Sequence, residues 1–189
     1  MVTKGLDFDK VSLVGVFNAD RMMHFPDFRS YERAYQLITQ VSGRAGRKDR
    51  SGKVCIQATN TRHPLLQLIK EHDYKTFFDQ EIDGRKRFFY PPFSRIILLT
   101  FKHKMKDVVD NAAMFFAAAL KSKYGQYLVG PAEPVVNRIR NQFLMELLIK
   151  LPKDTTTVKG CKQFILDTLA LMHNDKRFRS VVMIPDVDK

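Results

Sequence analysis

The 189-residue sequence has no tryptophan and only two cysteines, Cys55 in a strand-like run and Cys161 in a helix-like one. With no C-x-x-C pair and no histidine cluster beside them, they argue against a disulfide or a zinc site, and no metal-ligand set is expected. The five histidines are scattered without ligand spacing, which suits structural or surface roles. There is no run of about 18 apolar residues, and Met1-Val2-Thr3-Lys4-Gly5 lacks the apolar stretch of a signal peptide. A soluble, cytoplasmic chain without membrane contact is expected. Also missing are a G-x-x-x-x-G-K-S/T phosphate loop and an acidic magnesium-binding motif behind an apolar strand. Alone, the chain is not expected to hydrolyse a nucleoside triphosphate.

What is present is apolar material for real cores, 44% of residues, at a length that suits two units. A formal net charge of +12 favours an anionic partner, nucleic acid or an acidic protein tail. The chain is basic on both sides of Tyr90, so charge alone does not locate the binding surface.

The most specific stretch is Gln40-Val41-Ser42-Gly43-Arg44-Ala45-Gly46-Arg47. Guanidinium groups are planar and permanently charged, and a pair of them on a small-residue turn suits the phosphates of a nucleotide across a cleft. The glycines keep the backbone bare, and Gln40, one helical turn before Arg44, offers an amide to the same ligand. An isolated R-x-G-R is also what an ordinary basic helix end looks like. The full Gln-x-x-Gly-Arg-x-Gly-Arg pattern is narrower. It resembles the last motif of superfamily-two helicases, in which the arginines face ATP bound on a neighbouring lobe.

Thr3-Lys4-Gly5-Leu6-Asp7-Phe8 reads as a turn, and the nearly continuous apolar run from Val11 to Phe17 as a buried parallel strand. Beside the arginine motif, that turn resembles the preceding helicase motif. The chain thus begins inside a motif, as a fragment would. A loop through Phe28 precedes a helix capped near Ser30, with Tyr31, Ala34, Tyr35 and Ile38 as its apolar stripe. A second strand, Lys53 to Ala58, completes a parallel βαβ unit. His63-Pro64 opens a helical region running to roughly Arg87. Arg85 to Phe93 then mixes cations and aromatics with two prolines that mark a domain boundary. Its aromatics either stack on bases along a DNA backbone or bury themselves in the joint.

The remainder alternates differently. It predicts a strand at Arg95–His103, a helix at Asp107–Lys123 and an irregular strand from Tyr127 to Asn137, broken by Gly130-Pro131 and Pro134. A turn at Arg138–Asn141 leads to a strand in which Phe143, Met145, Leu147 and Ile149 alternate with Leu144, Glu146, Leu148 and Lys150. A helix from about Thr157 and a strand at Ser180–Ile184 follow. The order βαββαβ predicts a split-βαβ sandwich with two helices over one sheet.

Lys4 to Phe8, Gln40 to Arg47, Tyr90-Pro91-Pro92-Phe93, Gly130-Pro131-Ala132 and Asp186-Val187-Asp188 stand in the order found in the family of bacterial replication-restart helicases, PriA or primosomal protein N-prime. The resemblance covers essentially the whole chain. It implies an α/β fold class: the distal part of a second RecA-like helicase lobe, with a parallel sheet, over residues 1–89, and an α+β split-βαβ domain resembling ribosomal protein S10 over residues 90–189. It also implies the C-terminal part of an ATP-dependent 3′ to 5′ DNA helicase that recognises stalled forks and restarts replication through primosome assembly.

By motif match, Gly5 and Asp7 lie near the nucleotide, Gln40 and Arg44 at the ATP interface, Arg47 acts as the finger, and Thr3 and Lys4 lie near DNA. ATP and magnesium belong to the intact parent, and the family's zinc site is not in this stretch. Implied partners are forked or single-stranded DNA, single-stranded-DNA-binding protein and primosome proteins. The competing reading is a non-catalytic nucleic-acid or protein-binding module that retains helicase motifs. In the C-terminal domain, Arg138 and Arg140, with Lys150, Lys153, Lys159 and Lys162, form either a DNA surface or a solvated basic face. With its lobe truncated, the sheet edge near Val11 to Phe17 is short of partners, which predicts self-association or local disorder there.

Overall fold

A computed structural model of the chain describes residues 11–46 and 52–187. They divide into two compact units, one up to Gly84 and one from Arg85 onward. The sequence places the boundary at Tyr90, whereas the division falls before Arg85, which puts the last turn of a helix ending at Arg87 with the second unit.

In the first unit, β1 (Leu13–Val16) pairs in parallel with β2 (Lys53–Ile56), Leu13 opposite Lys53 and Val16 opposite Ile56. The crossover between them holds α1 (Ala19–Met23) and α2 (Ser30–Ser42). The segment before α2 is not all loop as expected, because Asn18 caps α1 by accepting from the Arg21 N–H. Helix α2 buries Ala34, Tyr35 and Ile38 against α3 (Pro64–Glu71) and α4 (Tyr74–Arg87). Tyr35 stacks on Phe77 at 4.4 Å, a core contact, whereas Tyr31 stays partly exposed with its ring edge-on to His63.

The helical region after Pro64 is two helices. His72 takes a left-handed conformation, φ 55°, with its N–H and that of Asp73 closing onto Ile69 and Leu68. The Asp73 carboxylate then accepts from the Thr76 N–H and starts α4. Strand β1 departs from the expectation of a buried strand: Leu13 is 59% exposed and Phe17, just after it, 83%, while Val14 is half-buried and only Val16 is buried. A strand is covered only by neighbours, and among the described residues β1 pairs with β2 alone.

The second unit is an antiparallel sheet of order β4-β6-β3-β7, with the short β5 on β6. Its elements are β3 (Arg95–His103), α5 (Lys106–Tyr124), β4 (Leu128–Ala132), β5 (Arg138–Ile139), β6 (Gln142–Leu151), α6 (Thr155–Asn174) and β7 (Val182–Val187). The strands joined by α5 are separated by β6, the arrangement of a split βαβ unit. Alternation decides the core. Ile97, Leu99 and Phe101 of β3 and Met145, Leu147, Ile149 and Leu151 of β6 share one face with Val109, Phe116 and Leu120 of α5 and Cys161, Ile165 and Met172 of α6.

The proline segment is tied to this second unit. Buried Ser94 donates to the Phe89 carbonyl at 2.9 Å, and Lys150 donates to the Phe88 carbonyl at 2.9 Å. Tyr90 is half-buried, while Phe88 is 60% and Phe89 37% exposed. No helix among the described residues is long and apolar enough to cross a membrane.

Candidate functional site

Two places carry the residues singled out by the sequence. In the first unit α2 delivers Gln40, exposed, and Arg44, half-buried, through turns that unwind the helix end: Gly43 N–H to Thr39, Arg44 N–H to Val41, Ala45 N–H to Ser42. Gly46, with φ 76°, suits the left-handed region open to glycine. Its N–H donates to the Val11 carbonyl at 3.0 Å. The arginine turn therefore sits at the amino end of the parallel pair, beside the segment that leads into β1. Thr3, Lys4, Gly5, Asp7 and Arg47 lie outside the described residues.

The carboxyl end of the same pair holds a shallow cleft of about 390 Å³ lined by Asn18, Asp20, Gln57, Ala58 and Thr59. The Asp20 carboxylate accepts from the Thr59 N–H and hydroxyl at 2.8 and 3.2 Å. The Thr59 backbone bond holds its pKa below the ordinary carboxylate value. The carboxylate is thus already engaged in a local cross-link between the two strand ends, and the cleft is at the opposite end from Arg44.

In the second unit, the register brings three separate segments to one end of the sheet. His103 at the end of β3 is opposite Phe143 at the start of β6, and Lys102 is opposite Val182 at the start of β7. Lys102 and Lys104, the hairpin bearing Arg138 and Arg140, and the approach to β7 with Lys176, Arg177 and Arg179 therefore converge. The His103 ring helps tie them: Nδ1 is 3.0 Å from the Met105 N–H, and Nε2 is 3.0 Å from the Ser180 hydroxyl.

Some of these cations are spoken for. Arg177 is forked onto Asp175, its guanidinium holding that carboxyl below the usual range. Lys106 bridges Asp110 and Glu133, and its hydrogen bond lowers the Glu133 pKa. Lys104, Arg140, Lys176 and Arg179 are exposed, and no ion pair among the described residues engages them.

The hairpin itself is tight. Ile139 is opposite Gln142, so Arg140 and Asn141 alone make the turn, with φ 48° and 62°, the type I′ geometry whose twist matches paired strands. The Arg138 guanidinium bonds the Asn141 side chain and lies 4.9 Å from the Phe143 ring centroid.

Not everything grouped by sequence is together here. Lys150 stands at the far end of β6, about 30 Å from the hairpin at roughly 3.3 Å per residue, and its ammonium serves the proline segment. Lys153 follows β6 at that same far end. The basic surface anchored on Arg138 and Arg140 thus excludes both. Lys102, Lys104, Lys176 and Arg179 were missed, although Lys102-His103-Lys104 and Lys176-Arg177-Phe178-Arg179 are short basic runs in the sequence. Among the described residues, no group of three or more His, Cys, Asp or Glu could hold a metal ion.

The family described as primosomal protein N C-terminal domain matches residues 86–188, more than half of the chain. The chain is 41% identical over 157 residues to the replication restart protein PriA of Bacillus subtilis, covering 82% of this chain and 20% of that protein. To the protein of the same name from Synechocystis it is 39% identical over 156 residues, covering 80% and 18%. To that of Chlamydia trachomatis it is 40% identical over 190 residues, covering 100% and 24%. The chain thus spans about a fifth of the length of these curated relatives.

Proposed function

Because this chain belongs to the primosomal protein N C-terminal domain family, we propose that it is the C-terminal part of an ATP-dependent 3′ to 5′ DNA helicase that recognises stalled forks and restarts replication through primosome assembly. In this reading the first unit is the distal part of a RecA-like lobe, and the second, resembling ribosomal protein S10, is a DNA-contacting domain. The protein works in the cytoplasm with forked or single-stranded DNA, single-stranded-DNA-binding protein and primosome proteins.

The observation that carries the DNA assignment is the convergence of Lys102, Lys104, Arg138, Arg140, Lys176 and Arg179 at one end of the antiparallel sheet. Phosphates are met there by cations from three segments, which orients a strand without reading its bases. The parallel strands of the first unit support the lobe assignment. The Gly46–Val11 bond holds the arginine turn beside the approach to β1, which supports reading the turn as part of that lobe.

The exposed Gln40 amide and the Arg44 guanidinium are donors of the type an anionic phosphate needs. In the parent they and Arg47 would help hold ATP with magnesium, and hydrolysis of that ATP would supply the free energy for strand separation. Gly5 and Asp7 are assigned to the nucleotide, and Thr3 and Lys4 to DNA. The fragment alone is expected to be inactive.

The test has two arms. In the intact parent, Arg47→Ala is expected to lower ATP hydrolysis by about 10³ to 10⁵, the loss typical of an arginine finger. Unchanged hydrolysis, or a parent without hydrolysis, would favour the non-catalytic module. On the 189-residue chain, binding to forked, single-stranded and duplex DNA is measured across a salt series. The Arg138→Ala/Arg140→Ala variant is expected to bind more weakly, with a salt dependence shallower by about two phosphate contacts. Binding unaltered in that variant would sink the assignment of the surface.

A further inference from the structure

The hairpin excursion between β4 and β6 carries aliphatic side chains that the fold leaves uncovered. Val135 is 79%, Val136 59% and Ile139 48% exposed, while Leu144, just inside the sheet, is buried. Single exposed apolar side chains are ordinary. Here three occur on one projection that also carries Arg138 and Arg140.

The projection is held firmly. The Leu144 N–H donates to the Asn137 carbonyl at 2.9 Å, and the Asn137 amide donates to Glu133 at 2.9 Å. Glu133 is ion-paired with Lys106 at the start of α5. At the tip, Arg140 keeps a left-handed backbone, φ 48°, a conformation uncommon for a long side chain and held here by the pairing on either side. The arm is tied at its base and carries cations beside bare aliphatic groups.

A duplex interior hides the faces of its bases, and a duplex end exposes one. Apolar wedges set among cations are a recurrent means of meeting an unstacked base step. We propose that Val135, Val136 and Ile139 abut the exposed base face at a junction of single-stranded and duplex DNA, while Arg138 and Arg140 hold the flanking phosphates. The inference rests on the DNA-binding reading of this surface and adds how a junction is told from continuous duplex. The arginines supply sequence-independent affinity, and the aliphatic side chains supply the preference for the junction.

The experiment compares the 189-residue chain with a Val136→Ser/Ile139→Ser variant on forked and continuous duplex DNA. A 2-aminopurine at the fork junction reports stacking. The expected result is a loss of about fivefold or more in the fork-over-duplex ratio, together with loss of the 2-aminopurine response. The slope of log affinity against log salt should not change, because no charge was removed. Val135→Thr, at the most exposed position, provides a second variant that does not rely on the hairpin pairing, and it should shift the ratio in the same direction. If Arg138→Ala/Arg140→Ala weakens all DNA but the aliphatic variants leave the fork-over-duplex ratio unchanged, the junction role is overturned and the DNA surface stands. If neither set changes binding, both fall.

Discussion

The Lys150 ammonium lies 3.5 Å from the centroid of the Tyr90 ring and donates to the Phe88 carbonyl at 2.9 Å. A cation from β6 thereby fastens the proline segment to the sheet face opposite the helices, since its neighbours Ile149 and Leu151 point into the core. Lys150→Met keeps the stem but loses both polar contacts, and it should destabilise the second unit by about 1–2 kcal/mol. Urea unfolding of Lys150→Met, Tyr90→Leu and the double variant should give a favourable coupling between the two residues. Strictly additive losses would mean that the contact contributes nothing.

Gly130 and Gly84 should respond in opposite senses to alanine. Gly130 has φ 101°, and a Cβ there would lie 3.1 Å from both the Glu146 carbonyl oxygen and the Ala132 nitrogen, which are backbone atoms unable to swing aside. Gly130→Ala is expected to cost about 1–3 kcal/mol. Gly84 lies within α4 with nothing within 4 Å of its added Cβ, so Gly84→Ala should add about 0.5–1 kcal/mol. Melting curves of the two variants, shifted in opposite directions, would check the pair.

The two thiols should separate kinetically. Cys55 is exposed, whereas Cys161 is buried in the helix–sheet core and its pKa is pushed up to about 11 by that burial. At pH 8 only on the order of one Cys161 in a thousand would be thiolate, the reactive form. A disulfide reagent should label one thiol promptly and the second only as the chain unfolds. Rapid labelling of both in the folded chain would contradict the packing around Cys161.

The Asp154 side chain caps α6 by accepting from the Thr157 N–H at 2.7 Å, and that bond holds its pKa below the ordinary value of 3.8. A folded pKa lower than the unfolded one contributes stability above the unfolded value, and this is lost as pH falls through the folded one. Asp154→Ala should therefore lower the melting temperature at pH 7, with the gap to the parent chain shrinking as the pH is taken below about 4. A gap independent of pH would assign the effect to something other than the carboxylate.

Leu13 of β1 and Phe17 just after it are left in water, and among the described residues the only partner of β1 is β2. Open strand edges with apolar side chains recruit further strands. The isolated chain should self-associate with rising concentration in sedimentation velocity, and Leu13→Lys/Phe17→Ser should reduce that association. A monomer at all concentrations would show that the exposed edge is tolerated.

Much of the element order was legible because periodicity is local. Ala34, Tyr35 and Ile38 recur at helical spacing, and Met145, Leu147 and Ile149 alternate as a half-buried strand must. The break at His72 was not, since His carries no strong signal for a left-handed turn. For β1 the apolar run read as a buried strand while the truncated lobe predicted an edge short of partners, and the exposure of Leu13 agrees with the second, because an apolar run states what a strand would bury, not whether a neighbour is there to bury it. For the candidate site, Arg138 and Arg140 stood out as a basic turn, yet Lys150 was grouped with them and Lys104 and Arg179 were passed over.

By itself, then, the sequence determined the basic character of the chain, the apolar stripes of its helices and strands, and the arginine turn ending α2. All of these follow from composition and from contacts within a few residues. The tertiary structure alone decided the register of β3, β5, β6 and β7, which brings Lys104, Arg140 and Arg179 to one end of the sheet and sends Lys150 to the other. Strand direction and register are set by hydrogen bonds between segments far apart in the chain. No local pattern records which end of a strand will meet which.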